Sequence, residues 1–262
     1  MIKKPIEEVL LASEKRKRIL LILLESPQEM ETLLVVLGTT RSGLLPQMKM
    51  LLKSHLISKH KDSYKLTTIG RLIAKKMASF LCTAETFGGN CDYMGTHYLD
   101  FIPEPLLERL PNIGTCTIID TNICDVFEGD EKLLENANGL KYWFEISSIV
   151  HPTFHDFYME MADYGMEVSV IISREVYEKI RQDYYENFKE IIDLGLVSFY
   201  LYPEKLEFAS FILSGDFMEF KLFTMNGIYD PKKLHICSPA TFDWGKELFE
   251  YYRKQSKLII DV

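Results

Sequence analysis

The sequence predicts an α+β chain of two domains: a small helical domain carrying a β-hairpin, then a larger α/β domain. Three observations predict it. Residues 1–80 hold 15 Lys and Arg against 7 Asp and Glu, a net of +8, whereas residues 81–262 hold 15 against 31, a net of −16. In the first part apolar residues recur at helical spacing, interrupted by one short extended stretch. In the second, strand-like and helix-like segments alternate. A chain of 262 residues suits two domains better than one, and 47% apolar residues supply a core for each.

Composition excludes several classes. The Cys at positions 82, 91, 116, 124 and 237 are odd in number and form no C-x-x-C pair. That pattern points to reduced thiols, not a disulfide frame or a zinc site. No apolar run reaches the roughly 18 residues a membrane span needs. The start, MIKKPIEEVL, carries Glu7 and Glu8 and does not read as a signal peptide. A soluble, cytoplasmic protein with no membrane partner is expected.

The basic part reads as successive elements. Ser13 is a plausible N-cap for a helix over 13–25, with Ile19, Leu20, Leu23 and Leu24 at helical spacing. Ser26 as cap and Pro27 at the first position predict a second helix to about Leu37, stopped by Gly38. In TTRSGLLPQMKMLLKSHLI, Leu44, Leu45, Met48, Leu51 and Leu52 form one stripe. Thr39, Ser42, Gln47, Lys49 and Lys53 fall largely outside it. Pro46 is tolerated if that helix starts near Ser42. Its outward face is then centred on Gly43, Pro46 and Met50. ISKHKDSYKLT reads as a hairpin turning at Asp62-Ser63 and carrying Lys59, His60, Lys61 and Lys65. TTIGRLIAKKMASFL returns to helical spacing through Ile69, Leu72, Ile73 and Met77.

Helix, helix, helix, basic hairpin, helix is the order of a winged helix-turn-helix. Its third helix enters the major groove and its hairpin lies along the backbone. Residues 13–80 resemble archaeal winged-helix transcription regulators, above all in YKLTTIGRLIA, with Leu66, Thr67 and Gly70 in the familiar places. Motif order and charge together predict double-stranded DNA as the partner. The candidate DNA-binding residues are Thr39, Thr40, Arg41, Ser42, Gln47, Lys49 and Lys53 around the third helix, and Lys59, His60, Lys61 and Lys65 on the hairpin. Base reading would rest on Ser42, Gln47 and Lys49, with Arg41 at a phosphate or a base edge. Modest direct readout and a large phosphate share are expected. The bland alternative is a small helical domain with a solvated Lys/Arg face.

Residues 81–104 read as a connector in which Gly88-Gly89-Asn90 ends the preceding helix and His97, Tyr98 and Phe101 pack on a domain. Over 105–262, strands are expected at 114–120, 140–150, 166–173 and 196–203. Helices are expected at 129–137, 153–165, 174–195 and 239–259. A hairpin is expected around Gly215-Asp216. The alternation predicts a mainly parallel sheet with one antiparallel pair.

HPTFHDFYMEMADYGMEVSVIIS and SPATFDWGKELFEYYRKQS resemble archaeal methanogenesis regulatory proteins. That resemblance implies a winged helix followed by an effector-type domain. The element order is also similar to the phospholipase-D-like sensor domain of some archaeal regulators. Phospholipase-D chemistry needs H-x-K-x-x-x-x-D. None of the six His, at 55, 60, 97, 151, 155 and 235, has Lys two residues on. The scaffold, if present, lacks its catalytic set.

Ser147 and Ser148, at a strand end ahead of a helix, are candidate ligand-binding residues together with His151. His151 and His155 are four apart beside Asp156, but His151 precedes the helix, with Pro152 at its first position, and no third ligand is near in sequence. No metal site is therefore assigned. No Walker A or G-x-G-x-x-G sequence is present, and no cofactor is implied. Aromatics such as Tyr142, Trp143, Phe144 and Phe157 could line a pocket or a dimer contact, with core packing the default. The expected function is a dimeric DNA-binding transcription regulator whose C-terminal domain senses a small-molecule effector, dimerises, or both. The alternatives are a hydrolase or transferase that uses the winged helix for docking, and a protein-interaction module.

Overall fold

The structure is a computed structural model describing residues 5–121 and 140–261. The helix expected at 129–137 lies outside them. The chain divides into two compact units, Met1–Ala84 and Glu85–Val262.

The first unit contains α1 (Ile6–Leu11), α2 (Glu14–Glu25), β1 (Gln28–Glu29), α3 (Met30–Leu37), α4 (Arg41–Lys53), β2 (Ile57–His60), β3 (Ser63–Leu66) and the start of α5 (Thr68–Gly88). Its three-stranded sheet has the order β1-β3-β2. The α2 helix starts as its sequence demands, with Ser13 Oγ accepting from Arg16 N. Gly38 stops α3 in the left-handed conformation, φ 57°. The core is one cluster, including Ile19 and Leu20 of α2, Leu33 of α3, Leu44, Met48 and Leu51 of α4, and Tyr64 and Leu66 of the hairpin.

Three local expectations need correction. Ser26 and Pro27 do not open α3, because Gln28 and Glu29 are extended and pair with Tyr64 and Ser63. Pairing to the hairpin edge wins over the capping signal. The α4 cap is Thr40, so Pro46 is the sixth helical residue and lies beyond the first turn. There it removes one main-chain hydrogen bond. His60 pairs with Ser63, so the hairpin turns at Lys61-Asp62, with Lys61 at φ 53°.

The second unit contains short helices α6 (Cys91–Met94) and α7 (Glu104–Leu107), then β4 (Cys116–Ile119), β5 (Tyr142–Ser147), α8 (Phe154–Asp163), β6 (Glu167–Ile172), α9 (Arg174–Asp183), α10 (Tyr185–Leu194), β7 (Val197–Leu201), β8 (Ser210–Ser214), β9 (Phe217–Phe223), β10 (Tyr229–Cys237), α11 (Thr241–Arg253) and β11 (Lys257–Leu258). One eight-stranded sheet has the order β11-β7-β6-β5-β8-β9-β10-β4. Only β5–β6 and β6–β7 are parallel; the other neighbours are antiparallel. The sheet is therefore mixed, not mainly parallel. Helical crossovers return the chain parallel from β5 to β7; the connection from β7 reverses it, so that β8 runs antiparallel to β5, and the tight turn at Gly215 reverses it again into β9.

Strand alternation sends side chains to two cores. Phe144 and Ile146 join Phe211, Phe220, Trp244 and Phe249 on one face. Trp143 joins Phe157, Val170, Phe188 and Phe199 on the other, under α8, α9 and α10. The helix expected over 174–195 is two helices, because Tyr184 at φ −138° interrupts it and turns its ring edge-on to Phe154, 5.7 Å away. The terminal helix ends at Arg253, and Lys257-Leu258 pair with Leu201 and Tyr200. Tyr93, Met94, Phe101 and Ile102 of the expected connector are buried in a core. Among the described residues no helix is long and apolar enough to cross a membrane.

Candidate nucleic-acid interface

The candidate residues lie on two elements of the first unit, α4 and the β2–β3 hairpin. Burial of Leu44, Met48 and Leu51 fixes the rotation of α4. Arg41, Ser42, Leu45, Pro46, Lys49 and Lys53 are left exposed. The outward face is thus centred on Ser42, Pro46, Lys49 and Lys53. Met50 is half-buried and packs on the core, contrary to the periodicity reading. That reading misplaced the face by less than half a turn: of its stripe Leu45 is exposed, while Leu52 packs on the core as expected and Met50 joins it.

Hydroxyl groups and cationic side chains meet at the start of α4. Thr40 Oγ1 accepts from Gly43 N at 3.4 Å and lies 3.1 Å from Ser42 Oγ. Thr39 Oγ1 accepts from Lys15 Nζ at 3.0 Å, so a lysine of α2 stands at this helix end. Periodicity could not have found Lys15, whose place depends on the packing of α2 against α4. Arg41 pairs with Glu31 at 3.4 Å, with both side chains mostly exposed. Such a pair is worth less than about 1 kcal/mol, and a phosphate could displace it. Gln47 has a different position: its Oε1 accepts from Arg16 Nη1 at 2.9 Å and from Ser13 Oγ at 3.4 Å. It ties α4 to the start of α2.

In the hairpin, Ile57 pairs with Leu66 and Lys59 with Tyr64. Tyr64 is buried, and Lys59 Nζ sits 5.5 Å from the centre of its ring. Lys59, His60, Lys61 and Lys65 are all exposed.

In the second unit, Ser147 Oγ donates to Ile149 O at 2.9 Å and Ser148 Oγ to Phe208 O at 2.7 Å. His151 Nδ1 accepts from Thr153 N at 3.2 Å, and α8 begins at Phe154, so Pro152 is not its first residue. His155 lies in the first turn of α8 and has its own partners. Its Nδ1 is 3.0 Å from Asp156 and its Nε2 3.1 Å from Glu190 of α10. Among the described residues no cluster of three His, Cys, Asp or Glu side chains suits a metal.

The hydrogen bond to Asp156 raises the His155 pKa; burial opposes it, and the hydrogen bond to Glu190 and the charges of both carboxylates add to the rise. The raised value means the protonated ring stabilises the fold. That contribution is present below the free value of 6.5 and is lost as pH rises through the folded value. His155→Gln should therefore flatten the pH dependence of stability of the second unit above about pH 6. Equal slopes for both proteins in urea unfolding across that range would refute this.

Sequence reasoning missed a buried polar row. Ser147, Ser210, Lys221 and Lys233 are direct cross-strand neighbours on β5, β8, β9 and β10, each less than a tenth exposed. Glu219 lies 3.5 Å from Lys233 and 3.1 Å from His235. Ser210 Oγ is buried without a hydrogen-bond partner among the described residues. In FMEFKLF the polar alternation mimics a solvent-facing side, which is why Glu219 and Lys221 gave no signal.

A profile of the methanogenesis regulatory protein FilR1 N-terminal domain matches residues 7–85, and one of its middle domain matches residues 126–255. The methanogenesis regulatory protein FilR1 of Methanothrix harundinacea (strain 6Ac) is 25% identical over 268 residues, covering 95% of this chain and 57% of that protein. The chain thus spans little more than half the length of that relative. Among solved structures, TrmBL2, described as an archaeal chromatin protein with a novel mode of DNA binding, aligns with a TM-score of 0.44 at 12% identity, covering 94% of each chain. The phosphatidylserine synthase of Haemophilus influenzae Rd KW20 aligns at 0.39 and 12% identity, covering 85% of this chain and 55% of that one. Both scores are too low to establish a shared fold.

Proposed function

Because the chain belongs to the FilR1 family of methanogenesis regulatory proteins, with both its N-terminal and its middle domain, we propose that it is a DNA-binding transcription regulator that works as a homodimer. The observation that carries this reading is the exposed cationic surface of the first unit. Arg41, Lys49 and Lys53 line α4, and Lys59, Lys61 and Lys65 line the hairpin. In a winged helix these two elements meet the major groove and the phosphate backbone. Ser42, Lys49 and Arg41 are the side chains placed for base edges, Thr39 and Thr40 for phosphates at the helix start, and Gln47 for holding the helix in position. The exposed apolar side chains Leu45 and Pro46 suit contact with thymine methyls, so direct readout is modest and phosphate contacts dominate.

The second unit is read as a phospholipase-D-like scaffold without the H-x-K motif, and so without the nucleophile of that chemistry. Its role is sensing. We place a small-molecule effector at the Ser147 end of β5, with Ser148, His151 and the buried hydroxyl of Ser210. Ligand control requires that the effector bind one arrangement of the dimer better than another.

The test is fluorescence anisotropy of the full chain with its own promoter fragment at two salt concentrations. Binding that weakens with a log–log slope steeper than about −4 is expected, since each neutralised phosphate contributes about −0.9. Absence of binding at low salt, to promoter and to heparin alike, overturns the reading.

A further inference from the structure

The first unit leaves an apolar groove open between α1 and the start of α5. The groove has a volume of about 460 Å³. Leu11, Leu72 and Phe80 line it and are 68%, 64% and 62% exposed. Ile69, itself mostly exposed, extends the same face of α5, since positions 69, 72, 76 and 80 are three or four residues apart. Large apolar side chains scattered singly over a surface need no explanation, but a contiguous set along two helices marks a contact surface.

Two charged residues on the groove indicate what covers it. Glu7 belongs to α1 and Lys76 to α5. Both are exposed, and neither has an ion-pair partner among the described residues. One wall therefore offers an unpaired negative charge and the other an unpaired positive one, either side of an apolar floor. A two-fold axis through such a groove brings each wall opposite the other wall of its copy, which is the self-complementarity an isologous interface requires. A membrane surface fits less well, because Glu7 would face anionic headgroups.

We propose that a second copy of this chain covers the groove, with Leu72 and Phe80 packed across a two-fold axis and Glu7 facing the partner's Lys76. This rests on the reading of the chain as a dimeric regulator. It moves the dimer contact to the DNA-binding unit, where the axis would set the spacing of two α4 helices directly.

Sedimentation equilibrium of the full chain tests it, with DNA binding measured separately. The wild type should dimerise. Leu72→Asp combined with Phe80→Asp should weaken dimerisation by at least about 100-fold, as expected for central apolar contacts. Glu7→Lys and Lys76→Glu should each weaken it by about 10-fold, and the two together should restore it. The charge variants alter only exposed groups, so they keep the test valid if the apolar variant unfolds. A wild-type monomer at all concentrations overturns the proposal, as does unchanged dimerisation in the Asp variant or an absence of rescue in the double reversal. A dimer that follows these expectations yet ignores DNA would instead overturn the regulator reading and leave this one standing.

Discussion

Reversing the three hairpin lysines together, Lys59→Glu, Lys61→Glu and Lys65→Glu, should lower DNA affinity by at least about 100-fold near physiological salt and leave the fold intact. The three ammonium groups are exposed, and none forms an ion pair among the described residues, so reversal breaks no salt bridge. The largest structural loss is the cation–π contact of Lys59 with Tyr64, worth about 0.5–1 kcal/mol at an exposed site. The electrostatic loss is larger. Three phosphate contacts disappear and three repulsions replace them. The slope of log affinity against log salt should become shallower by about 2.7, at roughly 0.9 per phosphate. A matched reversal in the acidic unit, Lys254→Glu, should change neither affinity nor slope. If the triple variant kept its slope, the hairpin would not lie on the backbone, and α4 with Lys15 would have to supply the whole contact.

What the sequence made legible depended on whether local signals decided each element. Gly38 and Ser13 act within one turn of helix, and the structure follows them; of the α4 stripe it buries Leu44, Met48 and Leu51 and leaves Leu45 exposed. The strands missed are those that local signals argue against. β10 contains Pro231 and shifts register between Tyr229 and Lys233, which is where a proline is tolerated in a sheet. β1 and β11 have two residues each and exist only because an edge is free to pair with them. Parallel pairing was overestimated because β–α–β order holds only from β5 to β7. For the interface the same division applies. Exposed lysines on a hairpin are visible in sequence. The attachment of Gln47 to Arg16, and the placing of Lys15 beside Thr39, arise from the packing of one helix against another.

Gly70→Ala should disrupt the first unit, though alanine is the better helix former. Gly70 lies in the first turn of α5, and its φ is not in the left-handed region. Helix propensity and the reduced entropy of the unfolded chain each favour alanine by up to about 1 kcal/mol. Against that, a Cβ at Gly70 would stand 1.8 Å from the carbonyl oxygen of Leu56 and 2.8 Å from its carbon. Neither is the end of a flexible side chain. Leu56 is fully buried, and its oxygen already accepts from Thr67 N at 3.0 Å and Thr67 Oγ1 at 3.2 Å. Thr67 Oγ1 in turn accepts from Gly70 N at 3.0 Å. Relieving the clash must separate α5 from the β2 end and break this set, at a cost on the order of 3 kcal/mol or more. The steric cost exceeds the propensity gain. Gly88→Ala is the control, in the same helix with nothing within 4 Å of the added carbon, and should be neutral or slightly stabilising. Hydrogen exchange of the full chain decides between them. Gly70→Ala should lose amide protection across α2, α4 and the hairpin, and with it DNA affinity, while the sheet of the second unit keeps its protection. Wild-type protection in that variant would mean that the close approach at Leu56 is not what joins hairpin to helix.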